Sequence, residues 1–257
     1  MDITASNIRF SYKKDIPVLN GINFNVNDGE ILGILGSSGC GKSTLLRIIC
    51  GLIRNGPKKG YSGSIMLNGN EDTFSLRKNG KIGFMFQERS LLPNLTLEKN
   101  ISLPTQMNIG LNVHKYFSRE LIELVGLEDF KDYLPRELSG GMQTRAELAR
   151  AFITKPNLIL LDEPFSSLDY GWKMDLYSKV FNLIMKFQST AIIVSHDIQE
   201  LVLLADRIIM ISKTGEIVNK DFLTTKESFN YTSKNMQDFL FEKANLIHEI
   251  QSKFLED

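Results

Sequence analysis

Three short stretches of this chain combine residue types and spacings that suit phosphate chemistry. Gly36-Ser37-Ser38-Gly39-Cys40-Gly41-Lys42-Ser43 satisfies the pattern G-x-x-x-x-G-K-[ST]. Glycines let a loop curl so that successive backbone N–H groups face an anion, and the start of a following helix adds partial positive charge. In such a loop Lys42 reaches the β- and γ-phosphates and Ser43 ligates Mg²⁺. The pattern alone says phosphate binding, which many kinases and GTPases share.

Leu158-Ile159-Leu160-Leu161-Asp162-Glu163-Pro164 sets two adjacent carboxylates behind an apolar run. Asp162 suits a place in the Mg²⁺ shell, and Glu163 suits the orienting and polarising of an attacking water. Both fall near the phosphate loop if the two strands are neighbours. A strand ending in a solvated acidic turn is the plain reading of a lone Asp-Glu, and the phosphate loop upstream argues against it. Leu138-Ser139-Gly140-Gly141-Met142-Gln143 then opens what reads as a helix over 142–152, a second anion-receptive amino terminus. By itself Ser-Gly-Gly is explained by a helix cap. If both termini take phosphate, one chain carries two sites that cannot both serve its own nucleotide.

These loops need elements to hold them. Residues 3–30 alternate apolar and polar side chains, the pattern of half-exposed strands, and Asp28-Gly29 marks a turn. Residues 31–35 form an apolar run short enough for a buried parallel strand, and 43–53 read as a helix packed on it by Leu45, Leu46, Ile48 and Ile49. Further strands are expected at 64–67, 82–86, 158–161, 191–194 and 208–211, with a helix near 172–187. From 88 to about 155 helical spacing replaces the strand signals, so this stretch reads as a helical lobe inserted into an α/β domain. After 221, Met236, Phe239, Leu240, Ala244, Ile247, Ile250 and Phe254 keep helical spacing, as a helix packed on the domain would.

With 257 residues, 42% of them hydrophobic, the chain can bury a full core. Lys plus Arg and Asp plus Glu both number 30, so no positive field points to a nucleic-acid or anionic-lipid partner. No signal peptide is expected from the opening residues, and no stretch approaches the roughly 20 apolar residues of a membrane span. Cys40 and Cys50 make no disulfide framework, so a soluble, cytoplasmic chain is expected. Cys40 suits the loop as a small residue. His114 and His248 read as structural side chains.

The order of these pieces resembles the ATPase subunits of ABC transporters over roughly residues 3–215. Gly36–Thr44 matches Walker A, Leu138–Gln143 the LSGGQ signature, and Leu158–Pro164 Walker B. Gln87, within Phe84-Met85-Phe86-Gln87-Glu88, matches the Q-loop glutamine that senses Mg²⁺ and the attacking water. Ser166-Ser167-Leu168-Asp169 matches the D-loop, and His196 the switch histidine at the γ-phosphate. Tyr12 matches the aromatic residue that stacks on adenine.

The resemblance implies an α/β P-loop NTPase core with an inserted α-helical subdomain and an amino-terminal antiparallel β region. The core is expected over 1–87 and 156–220, the helical subdomain over 88–155 and a helical tail over 221–257. It also implies a head-to-tail pair of cassettes, identical or paralogous. Each ATP lies between the Walker A loop of one chain and Ser139, Gly140, Gly141 and Gln143 of the other. A transmembrane permease subunit is implied as partner, on the cytoplasmic face of the membrane, with a solute-binding protein outside if the system imports.

Phe86-Gln87-Glu88-Arg89-Ser90-Leu91-Leu92-Pro93-Asn94-Leu95-Thr96 is similar to the FQE-x-x-LLPWLTV stretch of importer ATPases for nitrate, sulfonate and taurine. Asn94 replaces the usual Trp, and Tyr170-Gly171-Trp172-Lys173 departs from the family where an Arg is usual. An export or lipid-extraction motor shares all these motifs and stays open. A non-transport ABC ATPase is disfavoured by the lack of heptads and of a second cassette, and a small-molecule kinase by Ser139-Gly140-Gly141.

Overall fold

A computed structural model describes residues 1–13, 16–56, 60–69, 73–107, 115–218, 221–224 and 233–256. The chain opens with β1 (Ile3–Phe10) and β2 (Leu19–Val26), an antiparallel pair whose alternating side chains bury one face. β4 (Ser62–Leu67) pairs with the other edge of β1, giving a sheet in the order β2-β1-β4, and the short α2 (Thr73–Lys78) follows it in the chain.

β3 (Ile31–Gly36), β5 (Ile82–Met85), β6 (Leu158–Asp162), β7 (Thr190–Ser195), β8 (Arg207–Ile211) and β9 (Phe222–Leu223) form the second sheet. Its order is β5-β6-β7-β3-β8-β9, parallel except for β9. Strands β3, β6 and β7 are buried at every residue, which their unbroken apolar runs require. Ile31, Leu35, Ile159 and Ile193 pack on one side with α5 (Gly140–Phe152), α6 (Tyr170–Phe187) and α7 (Ile198–Leu204). Leu32, Ile34, Leu160 and Val194 face the other way, onto α1 (Lys42–Ile49) and the antiparallel sheet.

Between β5 and β6 the described residues form helices and turns without a strand. They include α3 (Leu97–Met107), α4 (Lys115–Leu124) and α5. This is the inserted helical subdomain, with one refinement: α5 packs on α3 and also on β5, so it joins the subdomain to the sheet. The tail differs from the single expected helix. It forms α8 (Ser233–Glu242) and α9 (Ala244–Glu256), whose Phe239, Ile247 and Ile250 join the apolar cluster that covers α7. His248 is exposed on α9. His114 and the side chain of Met236 lie outside the described residues. Among the described residues no helix is long and apolar enough to cross a membrane.

The unusual Trp172 has a structural use. Its ring lies 3.9 Å from the Arg145 guanidinium, which donates to the carbonyl oxygens of Val125 (2.5 Å) and Gly126 (3.2 Å). One cation–π stack thus ties α6, α5 and the end of α4 together.

Register decides where the chemistry falls. Met85 pairs with Leu161, Asp162 with Val194, Leu35 with Ser195 and Gly36 with Ile211. The carboxyl ends of β3, β5, β6 and β7 therefore open on the same side, where ligands of open parallel sheets bind. Because Leu160 is fully enclosed at the centre of β6, Leu160→Ala is expected to lower unfolding free energy by about 2–5 kcal/mol, measured by urea denaturation.

Candidate active site

The loop after β3 turns back over its own strand end. A Cβ on Gly36 would lie 2.5 Å from Cys40 Sγ and 2.9 Å from the Ile211 carbonyl oxygen, so no larger residue fits. Gly41 has φ +104° and caps α1, with Val18 O 2.8 Å from where its Cβ would be. Cys40 is buried in this turn and burial pushes its thiol up, which suits a small packing residue rather than a reactive thiolate.

Lys42 is only 5% exposed. Its ammonium donates to the carbonyl oxygens of Gly36 (2.7 Å) and Ser37 (3.0 Å), and among the described residues no carboxylate pairs with it. A buried cation satisfied by carbonyls alone is receptive to an anion. One residue on, Ser43 Oγ donates to Asp162 Oδ1 at 3.0 Å. The other oxygen, Asp162 Oδ2, is buried without a partner. Burial pushes the Asp162 carboxyl up, opposed by the Ser43 hydrogen bond. The two strands are not neighbours: β7 lies between β3 and β6. The contact survives because Ser43 sits beyond β3, at the start of α1, which packs on β6.

Glu163 follows Asp162 with φ +48°, the left-handed region that non-glycine residues enter at a cost of about 1–2 kcal/mol. Its N–H donates to Val194 O at 2.9 Å, which holds the turn. The twist sends its carboxylate toward the end of β7, where Oε2 lies 3.3 Å from His196 Nδ1. Tyr12, Lys42, Ser43, Thr44, Gln87 and Glu163 line one cleft of about 370 Å³, together with Ser38, Gly39, Gly41 and Val18. Tyr12 stands at its mouth, 60% exposed, with its hydroxyl 3.2 Å from Thr44 Oγ1 and its ring edge-on to Phe10.

Ser139, Gly140 and Gly141 are not among the residues lining that cleft. Ser139 caps α5, its Oγ accepting from Met142 N at 3.3 Å. Thr144 Oγ1 on the same helix lies 2.6 Å from Ser167 Oγ, so α5 is joined to the turn that precedes α6. Asp169 is the residue at the start of α6 and makes no side-chain capping bond. Gln143 turns inward, its amide donating to Pro135 O (2.8 Å) and Leu138 O (3.1 Å). Of the expected residues, Tyr12, Ser38, Gly39, Gly41, Lys42, Ser43, Thr44, Gln87 and Glu163 line the cleft, Asp162 and His196 reach it through Ser43 and Glu163, and the 139–143 group lies outside its lining.

Sequence reasoning missed a polar hub between the two groups. Ser90 donates from its backbone and its hydroxyl to buried Glu147, and Arg150 donates to Ser90 O and Oγ. This hub fixes the segment after Gln87 onto α5. In sequence, Glu147 and Arg150 are a helical i,i+3 pair that reads as a solvated face, so only the fold reveals them. Arg89 was likewise missed: its Nη2 lies 2.6 Å from where a Cβ on Gly140 would be.

The sequence profile of the ABC transporter family matches residues 19–166. The chain belongs to the ABC transporter family. It is 38% identical over 242 residues to an aliphatic sulfonates import ATP-binding protein of Bacillus cereus (strain ATCC 10987), covering 91% of this chain and 92% of that one. An ABC transporter ATP-binding protein of Bacillus subtilis (strain 168) is 37% identical over 219 residues, covering 85% and 81%. Among solved structures, the ATP-binding cassette MJ0796, a dimer bound to ADP and Pi, superposes with a TM-score of 0.77 at 29% identity, covering 88% of this chain and all of that one. As an ABC transporter ATPase, this chain binds and hydrolyses ATP.

Overpacking the loop costs about 1–3 kcal/mol, so Gly36→Ala is expected to weaken ATP binding about tenfold or more. Gly171→Ala, where a Cβ meets nothing within 4 Å, is expected to bind ATP as the parent chain does. Equilibrium nucleotide titration measures both.

Proposed function

We propose that this chain is one of the two ATPase subunits of an importer for a small sulfonate or related oxyanion, held by a permease at the cytoplasmic face of the membrane. The observation that carries the mechanism is the cleft lined by Lys42, Ser43 and Glu163, with Asp162 bonded to Ser43 and His196 beside Glu163. The cargo class rests on relatives named for sulfonate import and sulfate/thiosulfate import.

Tyr12 stacks on the adenine, and the N–H groups of 37–44 take the phosphates. Lys42 exchanges its carbonyl partners for the β- and γ-phosphate oxygens. The donors also fit Mg²⁺: Ser43 Oγ, Gln87 and Asp162 supply hard oxygen atoms, and the buried unpartnered Oδ2 of Asp162 suits a cation. When bound, Mg²⁺ neutralises phosphate charge. Glu163 accepts a hydrogen bond from the attacking water and takes its proton as the bond between Pγ and the leaving ADP oxygen breaks. His196 holds the γ-phosphate on the side facing Glu163.

Ser139, Gly140 and Gly141 serve the ATP of the partner subunit, with Asp169 at the same interface and Gln143 bracing the loop from within. The second subunit is a copy of this chain or a paralogue. The boundaries expected above, with the core over 1–87 and 156–220 and the helical lobe over 88–155, assign the permease contact to the lobe. A groove of about 750 Å³ beside Gln87, lined by Phe84, Phe86, Leu92, Leu103, Pro104 and Met107, suits an apolar permease segment. Outside the cell, a solute-binding protein delivers the cargo.

Glu163→Gln is expected to keep ATP affinity within about twofold and lose turnover by about 10²-fold or more, the scale of a lost general base. Phosphate release at the parent rate would remove Glu163 from that role. Lys42→Ala is expected to weaken ATP binding itself, seen in the same equilibrium titration.

A further inference from the structure

One hydrogen bond beside the 139–141 tip has no place in the mechanism above. It joins Thr144, on the second turn of α5, to Ser167, in the turn between β6 and α6, with 2.6 Å between the hydroxyl oxygens. Thr144 is buried and donates its own proton to the Gly140 carbonyl oxygen at 3.1 Å. A hydroxyl has one proton to give, so Ser167 is the donor in the bond between them.

The tip needs such a hold. Gly140 and Gly141 carry no side chain with which to pack, and glycine loses more freedom on ordering than any other residue. Gln143 holds the chain before the tip, through Pro135 O and Leu138 O, and Thr144 holds the tip itself against the 163–169 turn. That turn is firm. Ser166 N and Oγ both donate to Glu163 O (3.3 and 3.0 Å), and Leu168 N donates to Phe165 O (3.2 Å). Leu168 is buried in the apolar cluster, and its Cδ2 lies 3.4 Å from where a Cβ on Gly141 would be. Asp169 closes the same turn at the start of α6.

We propose that Thr144 and Ser167 are positioning residues for the ATP of the partner subunit: their hydroxyl bond latches the 139–141 tip to the turn that carries Asp169, so the chain presents both to its partner as one body. The proposal rests on the roles given above to Ser139, Gly140, Gly141 and Asp169.

Neither residue is among those lining the chain's own cleft. The latch therefore acts on the clamp around the partner's nucleotide and leaves ATP binding by a single chain alone. A tip held ready meets the γ-phosphate without first being ordered, and an unlatched tip loses that advantage at the moment of pairing. Glu163 opens the turn that Ser167 bonds to the tip. The carboxylate that serves one nucleotide and the tip that serves the other thus share a support.

The test is ATP-driven pairing of the full chain in the Glu163→Gln background with Mg²⁺, read by sedimentation velocity as the dissociation constant of the pair. The added variants are Ser167→Ala, Thr144→Val, both together, and Ser167→Thr. Ser167→Ala and Thr144→Val should each weaken pairing about tenfold, the cost of ordering a tip that is otherwise held ready. Losses of two partners in one bond do not add, so the double variant should be no worse than Thr144→Val alone. Ser167→Thr keeps the donor and should pair within about twofold of the background chain. ATP affinity of single chains, titrated at protein concentrations below pairing, should stay within about twofold for every variant. Background-like pairing by Ser167→Ala, losses that multiply in the double variant, or a loss of single-chain ATP affinity equal to the loss of pairing would overturn the proposal. If Thr144→Val does not fold, Ser167→Ala and Ser167→Thr still decide. A Glu163→Gln chain that stays single in ATP would instead overturn the two-subunit reading on which the latch rests.

Discussion

An anion of high charge needs donors on more than one side, and this chain presents its two sets of donors in different places. The start of α1, with Lys42 and the curled loop, opens into the cleft. The start of α5, with Ser139 and its glycines, does not line that cleft and is fixed instead against the turn before α6 through Thr144 and Ser167. A single copy therefore covers the phosphates from one side only. On the proposed reading a second copy supplies the other side, and the γ-phosphate is what holds the two together. ADP has no charge at that position, so binding and hydrolysis become a shift between closed and open pairs.

The sheet makes the cleft possible. Four parallel strands end on one side, each delivering one element of the proposed chemistry: the loop from β3, Gln87 after β5, the carboxylates after β6 and His196 after β7. Placing β7 between β3 and β6 has a consequence for the reaction centre. Glu163 turns in the left-handed region to bond Val194 O, so its carboxylate crosses toward the end of β7 rather than staying over its own strand. Backbone strain there is repaid by proximity to His196. The Ser90–Glu147–Arg150 hub fixes the segment after Gln87 to α5, so the Q-loop and the Ser139 tip share a support.

Much of this was readable from residue order, because buried parallel strands, glycine loops and carboxylate pairs leave short local signatures. Strand positions at 31–35, 158–161 and 191–194 and the start of the helix after Gly41 were all legible for that reason. What could not be read was set by pairing between distant segments. Whether β3 and β6 are neighbours was open in the sequence, and strand order put β7 between them. Arg145 under Trp172 turned a departure from the family pattern into a bracket between helices. Gln143 looked like an outward ligand and proved to be engaged by Pro135 and Leu138. Nothing in the sequence around Glu200 marks it as enclosed, and only the fold shows that this first-turn acid is buried.

The most direct measurement is a crystal structure of the Glu163→Gln chain trapped with ATP and Mg²⁺. The account predicts two chains related head to tail, with Ser139 Oγ and the Gly141 N–H of one within hydrogen-bond distance of the γ-phosphate bound by Lys42 of the other. Nucleotide fully enclosed by a single chain, with Ser139 remote from every phosphate, would contradict it.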